Sequence, residues 1–128
     1  MAVIGIGIDV VPVSRVEALL DRHGERAMER LFTPREIARA RELAANVALH
    51  LAGRLAAKEA AYKALSSGGA DLGIRWQHLE VERLDDGRPL LVLHGPAQAR
   101  FDALGAKQAH ISLSHDGGIA AAVVVLES

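Results

Sequence analysis

The chain has 128 residues, of which 50% are hydrophobic and 3% aromatic, and its formal net charge is −1. This length predicts one domain over residues 1–128, with a core of alanine, valine, leucine and isoleucine. The absence of cysteine excludes disulfides and thiolate chemistry, and the near-neutral charge gives no support for nucleic-acid binding.

The apolar pattern of residues 3–11 predicts a buried strand. The same N-terminal stretch does not resemble a targeting sequence. No basic region precedes it and no apolar run reaches the ~18–20 residues of a membrane helix, so we expect a cytoplasmic protein. Gly5 and Gly7 leave room for another element to pack closely on one face. A buried Asp9 would need a cation or hydrogen-bond donors. If Asp9 instead lies at the solvent-exposed end of the strand, it needs no cation or donor. Both placements of Asp9 stay open at this point.

A helix is predicted to begin at Ser14, which has capping-box spacing to Glu17, and to end at Gly24. Arg15 and Arg22 lie seven residues apart on one flank of this helix, and Arg26 would extend the row if the helix continued. Such a row is commonly a solvated face. The alternative is a docking surface for an acidic partner.

Two further helices follow. Thr33 and Glu36 have capping-box spacing around Pro34, which predicts a second helix start. A long alanine-rich helix is predicted over residues 47–65, where Glu59 and Lys63 share one face. Taken alone, they are typical of an exposed ion pair worth a few tenths of a kcal/mol.

The C-terminal half alternates strands with one helix. Turn residues at 85–89 and 115–118 separate strand-like stretches, and Gly95-Pro96 opens a short helix. The predicted elements are strands over 74–84, 90–93, 110–114 and 119–126, and a helix to about residue 104. This arrangement indicates an α+β fold with a mostly antiparallel sheet packed with a long helix.

Three side chains carry the candidate chemistry. Asp9 and Glu59 offer the hard oxygen ligands that Mg²⁺ prefers, and Lys63 could contact phosphate as a point charge. A magnesium and lysine clamp on a pyrophosphate is typical of a transferase or hydrolase. Spacing alone does not establish that Asp9 meets Glu59.

Several segments together resemble one family across nearly the whole chain. They are Gly5-Ile6-Gly7-Ile8-Asp9-Val10-Val11 with Arg15, Phe32-Thr33-Pro34-Arg35-Glu36, residues 54–65, Gly73-Ile74-Arg75-Trp76, Gly87-Arg88-Pro89 and Ser112-Leu113-Ser114-His115-Asp116. Their order and spacing resemble the short bacterial type of 4′-phosphopantetheinyl transferase, the holo-acyl-carrier-protein synthase family.

The resemblance implies a reaction and a set of roles. The family moves the phosphopantetheine group of coenzyme A onto a serine of apo acyl carrier protein, releasing adenosine 3′,5′-bisphosphate, in fatty acid biosynthesis. It implies Asp9 and Glu59 as magnesium ligands, Lys63 as a contact of the transferring phosphate, and Glu59 as general base, directly or through water.

The resemblance also implies partner contacts. Arg54 and His115 match coenzyme A contacts near the 3′-phosphate, and Gly87 and Pro89 would lie by the adenine. Arg15 and Arg22 fall where the first helix meets the acidic carrier protein. Family members of this length form homotrimers with active sites between neighbours.

Two departures and two alternatives accompany this interpretation. Leu55 stands where an aromatic residue is usual, and Ser66-Ser67-Gly68-Gly69 replaces a Gly-Thr-Gly-like continuation. A non-catalytic module binding coenzyme A or carrier protein on the same fold would tolerate loss of the metal carboxylates, which are all present here. A transferase serving polyketide or peptide carriers is the second alternative.

The other histidines, which are His23, His50, His78, His94 and His110, lack motif support and are predicted to be packing or surface residues.

Overall fold

The computed structural model describes residues 1–43, 45–66 and 72–128. In chain order its elements are β1 (Val3–Pro12), α1 (Val13–His23), α2 (Glu25–Leu31), α3 (Pro34–Leu43), α4 (Val47–Leu65), a 3₁₀ turn (Trp76–His78), β2 (Leu79–Arg83), β3 (Pro89–Leu93), α5 (Pro96–Ala103), β4 (Gln108–Asp116) and β5 (Ile119–Glu127).

The strands form two antiparallel sheets. One has the order β1-β5-β4, and the other is the β2-β3 hairpin. The last strand therefore lies between the first and the fourth, so that Asp9 faces Ala122 across the β1–β5 pairing. Helix α4 packs against the three-stranded sheet and supplies much of the core. The predicted α+β class, with antiparallel strands against a long helix, is confirmed.

Glycines allow α4 to approach β1 closely. A Cβ added to Gly7 would overlap the backbone carbonyl of Ala60, and one added to Gly5 would overlap that of Ala64. Side chains on β1 alternate between faces, so Asp9 shares the inner face with Gly7. The close packing therefore brings the α4 turn that carries Glu59 next to Asp9.

The outer face of the three-stranded sheet is apolar and exposed. Ile6, Ile8, Val10 and Ile119 retain 63%, 62%, 53% and 43% of their accessible surface. A contiguous apolar surface of this kind is uncommon on a monomer and commonly marks an interaction site.

A buried ionic network ties α4 to α3 and to the hairpin. Lys58 is fully buried, and its ammonium lies 2.7 Å from Glu36 Oε1 and donates to the carbonyls of Trp76 and Leu79 at 2.8 and 3.0 Å. Glu36 also accepts from the backbone N–H of Thr33, whose hydroxyl accepts from the N–H of Glu36. The capping box predicted at Thr33 is confirmed.

Two local predictions are wrong. Helix α1 begins at Val13, its preceding cap residue is Pro12, and Ser14 lies inside the helix without capping it. The fixed φ of proline carries the chain from strand to helix directly. The strand predicted over 74–84 is a 3₁₀ turn followed by β2, because the carbonyls of Trp76 and Leu79 turn toward Lys58.

In the departure noted at Ser66-Ser67-Gly68-Gly69, residues 67–69 lie outside the described residues. Among the helices described, no stretch is both long and apolar enough to span a bilayer. The expected cytoplasmic location stays a prediction.

Candidate active site

Two carboxylates and two cations meet between β1, α1 and α4. Lys63 Nζ lies 2.8 Å from Asp9 Oδ1 and donates to the carbonyl of Ile8 at 3.0 Å. Arg15 Nη2 lies 3.1 Å from Glu59 Oε1. The structure therefore brings together Asp9 and Arg15 with Glu59 and Lys63, two pairs that lie far apart in the sequence. The described salt bridge of Lys63 is with Asp9, so the simple Glu59–Lys63 surface pair is not what the structure shows.

The two carboxyl groups are in direct electrostatic contact. Burial, a hydrogen bond to Asp9 and the charge of Asp9 raise the pKa of Glu59 to about 7, against the opposing charge of Arg15. Burial also acts on Asp9, but the hydrogen bond with Glu59 and the charge of Lys63 outweigh it and lower the pKa of that carboxyl. The pair therefore tends to share one proton, as adjacent carboxylates do.

The carboxylate pair fits a divalent cation. Asp9 Oδ2 is buried, and no donor group among the described residues reaches it, so this oxygen is available to a cation. Among the described residues there is no cluster of three histidine or acidic side chains with metal-site geometry. Two carboxylates nevertheless suffice for Mg²⁺, which commonly takes its other ligands from water and substrate phosphates.

A cavity of about 820 Å³ opens beside Glu59. Its wall includes Arg15, Arg26 and Arg30, so it is lined by cations from both α1 and α2. Arg22, predicted as a second carrier contact, is exposed on α1 and is not among the residues lining this cavity. Arg26 would have extended the row of Arg15 and Arg22 only if the first helix had continued, but it lies on α2, a separate helix after Gly24. Arg30 was given no role from the sequence.

Four of the five predicted coenzyme A contacts lie on a different cavity, of about 760 Å³, whereas Lys63 lies beside Asp9. Arg54, His115, Gly87 and Pro89 all line it, although they come from α4, β4, the β2–β3 turn and the first position of β3. Gly87 has φ 91°, a left-handed conformation that favours glycine in this turn. Of the predicted site residues, Arg15 and Glu59 thus line the 820 Å³ cavity, whereas Arg54, Gly87, Pro89 and His115 line the 760 Å³ cavity.

Three residues near these sites were missed by the sequence interpretation. Lys58 lies within the quoted segment 54–65, had no role assigned from the sequence, and is fully buried. Arg83 was placed in a strand without a role, and His50 was predicted to be a packing or surface residue, yet both line the 760 Å³ cavity with Arg54. The i,i+4 spacing of His50 and Arg54 on α4 was the available signal.

The comparisons with known proteins define the class. A model of the 4′-phosphopantetheinyl transferase superfamily matches residues 5–124, and the chain belongs to this superfamily. Among its curated relatives, "Holo-[acyl-carrier-protein] synthase" of Nitratidesulfovibrio vulgaris (strain DP4) is 48% identical over 98% of this chain and 99% of the relative. The protein of the same name from Solidesulfovibrio magneticus is 50% identical over 96% of this chain and 97% of its own.

Solved structures agree with this assignment. Holo-[acyl-carrier-protein] synthase from Helicobacter pylori in complex with coenzyme A has a TM-score of 0.80 at 30% identity, covering 95% of this chain and 99% of the other. The protein of that name from Neisseria meningitidis has a TM-score of 0.88 at 26% identity, over 99% of this chain and 100% of the other. The family resemblance found from the sequence motifs is confirmed.

Proposed function

We propose that this protein is a holo-[acyl-carrier-protein] synthase. It transfers the 4′-phosphopantetheine group from coenzyme A to a serine of apo acyl carrier protein, giving holo acyl carrier protein and adenosine 3′,5′-bisphosphate, in fatty acid biosynthesis. Near full-length similarity to relatives of this name supports the activity. The meeting of Asp9, Glu59 and Lys63 is the observation in this chain that carries the proposal.

The chain's own residues suggest how the transfer proceeds. The serine oxygen attacks the phosphorus that bears the pantetheine arm, and the P–O bond to the bridging oxygen of the pyrophosphate breaks. Glu59 accepts the hydroxyl proton, and adenosine 3′,5′-bisphosphate leaves with the bridging oxygen. Lys63 places its positive charge where negative charge develops on the phosphate oxygens.

Asp9 and Glu59 would hold Mg²⁺ together with pyrophosphate oxygens of coenzyme A. When bound, the ion supplies positive charge that offsets the charge of the phosphates. In that state Arg15 is free to leave Glu59, because the ion replaces its charge. Arg15, supported by Arg22 on the same helix, is then available to an acidic carrier protein.

The activity is tested by incubating the full chain with coenzyme A, Mg²⁺ and apo acyl carrier protein, and weighing the carrier by mass spectrometry. We expect the mass of one phosphopantetheine to be added. Glu59→Gln should lower the rate by at least about a hundredfold while the fold survives, whereas Glu17→Gln, on the exposed side of α1, should leave it unchanged. No mass gain with several bacterial carrier proteins would refute the transferase. Unchanged activity of Glu59→Gln would remove Glu59 from its role as general base and leave the transferase in place.

We further propose a homotrimer with active sites between subunits. The exposed apolar sheet face supports an assembly, since burying Ile6, Ile8 and Val10 would remove a large apolar surface from water. The separation of the two residue sets on two cavities supports shared sites, because a neighbouring subunit can bring Arg54 and His115 to the carboxylates of the next.

A mixing experiment tests this assembly directly. Glu59→Gln and Arg54→Gln variants, each inactive alone, should regain activity when refolded together, because a mixed trimer contains sites with both intact partners. For random mixing of equal amounts, about one quarter of shared sites are intact. No recovery would place both residue sets in one subunit. Light scattering on Ile8→Glu, expected to give a monomer, provides the second measurement.

A further inference from the structure

Helix α2 is short and carries part of the wall of the 820 Å³ cavity. It has seven residues, Glu25–Leu31, and Arg26 and Arg30 from it line the cavity together with Glu59 from α4. Isolated helices shorter than about 12 residues are marginal in water, so the position of α2 depends on its tertiary contacts. Those contacts therefore decide where two of the cavity's three arginines lie.

Two carbonyls at the end of α2 lack their usual helical donors. The carbonyls of Glu29 and Arg30 would accept from residues 33 and 34 if the helix continued. The N–H of Thr33 instead donates to Glu36 Oε1 at 2.8 Å, and Pro34 has no N–H. The capping box that begins α3 thus leaves these carbonyls in need of other donors.

Gln77 supplies the missing donors from the 3₁₀ turn. Its side-chain amide nitrogen lies 2.6 Å from the carbonyl oxygen of Glu29 and 2.8 Å from that of Arg30. A glutamine amide has two N–H groups, so one side chain can satisfy both carbonyls. Gln77 had no role assigned from the sequence, because these contacts join positions 48 and 47 residues apart.

The same turn is also anchored to α4. Lys58 donates to the carbonyl of Trp76 at 2.8 Å, and the Trp76 ring lies 6.3 Å from the ring of Tyr62 on the same helix. Trp76 itself lines the cavity beside Glu59. The turn therefore connects α2, with its two arginines, to the helix that carries Glu59.

We propose that Gln77 is a positioning residue for the transfer, which holds α2 on the 3₁₀ turn so that Arg26 and Arg30 stay beside Glu59 and face an acidic carrier protein. The effect on docking rests on the proposed function, whereas the holding of α2 does not. The amide donors of Gln77 are used by the backbone, so it acts through α2 rather than on the reacting atoms. A surface that becomes ordered only on binding has a lower affinity for its partner.

Steady-state kinetics on the full chain separate docking from chemistry. Gln77→Met keeps a side chain of similar length and removes both donors. It should raise the KM for apo acyl carrier protein by about tenfold, since two hydrogen bonds that order α2 are lost. The KM for coenzyme A and kcat should stay within about twofold of wild type, because the reacting groups are untouched. Gln98→Met, the matched control, breaks an exposed hydrogen bond to Asp102 on α5 and should change none of these values.

A rescue and two spectroscopic signals distinguish positioning from a general loss of stability. Gln77→Lys can donate to the same carbonyls, as lysine does at helix C-termini, so it should recover most of the carrier KM. Trp76 is the only tryptophan of the chain, so acrylamide quenching of its fluorescence reports on the turn alone. Gln77→Met should increase this quenching in native conditions and speed amide hydrogen exchange in α2 by about tenfold. Gln77→Asn, which keeps the amide on a shorter side chain, should act in the same direction more mildly and replaces Gln77→Met if that variant fails to fold.

The outcomes separate this inference from the proposed function. Transfer by the wild type with an unchanged carrier KM in Gln77→Met, or an equal rise in the KM for both substrates, overturns the effect on docking and leaves the transferase intact. Equal hydrogen exchange in α2 of Gln77→Met and wild type overturns the holding of α2. If the wild type shows no transfer, the effect on docking fails with the proposed function, whereas faster exchange in Gln77→Met still supports the holding of α2.

Discussion

Replacing Lys58 by methionine should destabilise the protein far more than an ordinary lysine substitution. The ammonium is fully buried, and its three protons meet Glu36 and two backbone carbonyls. Removing it leaves the carboxylate of Glu36 buried without its cation, which typically costs about 3–5 kcal/mol. The free energy of unfolding of a typical protein is only about 5–15 kcal/mol, so this loss is a large fraction of it. We expect the thermal midpoint to fall by about 10–20 °C.

Urea unfolding at one fixed protein concentration measures the effect, because oligomer stability depends on concentration. Arg35→Met is the matched control. Its pair with Glu82 is exposed, so it should cost at most about 1 kcal/mol. The double variant Lys58→Met with Glu36→Gln should be more stable than Lys58→Met alone, since the unpaired charge is gone. A loss below about 1 kcal/mol for Lys58→Met would refute the reasoning.

Two other predictions concern packing and pH. Gly7→Ala should lower the free energy of unfolding in urea by several kcal/mol and abolish transfer, because the added Cβ would push α4 away from β1. Gly53→Ala, which has open space around it, should raise the free energy of unfolding by up to about 1 kcal/mol. The folded pKa of His50, about 4, lies below the ordinary 6.5, so the unfolded chain binds the proton more readily and stability falls as the pH drops from 6.5 to 4. Urea titrations should show a smaller fall for His50→Gln than for wild type, and an unchanged one for the exposed control His23→Gln; equal falls for all three would contradict the assignment.

Local chemistry made much of the fold predictable. The reciprocal bonds of Thr33 and Glu36 depend on residues three apart, so the sequence pattern contains both partners. The bounds of α4 follow from its alanine content and from Asn46, whose side chain accepts from the Leu49 N–H at the helix start. Gly5 indicated a close approach correctly, but its partner could not be named from the strand alone.

The candidate site was predictable in its residue types and less so in its contacts. Asp9 and Glu59 are fifty residues apart, and their proximity depends on how α4 packs on β1, which no local pattern encodes. Lys58 and Arg83 are types that are mostly exposed, so their burial or placement at a cavity follows from tertiary structure. The family motifs identified Asp9 and Glu59, whereas Arg83 lies outside the quoted motifs.

The pairing of the first strand with the last has a consequence for how the protein is made. Val3 lies opposite Glu127, and the N–H of Ser128 donates to the carbonyl of Ala2 at 2.9 Å. Contacts between such distant positions raise the contact order and slow folding. During synthesis on a ribosome, β1 has no strand to pair with until β5 has emerged. Its apolar side chains are exposed to other chains during that time. The carboxylate pair at Asp9 should therefore be among the last features to form, and nascent chains should depend on chaperones until synthesis ends.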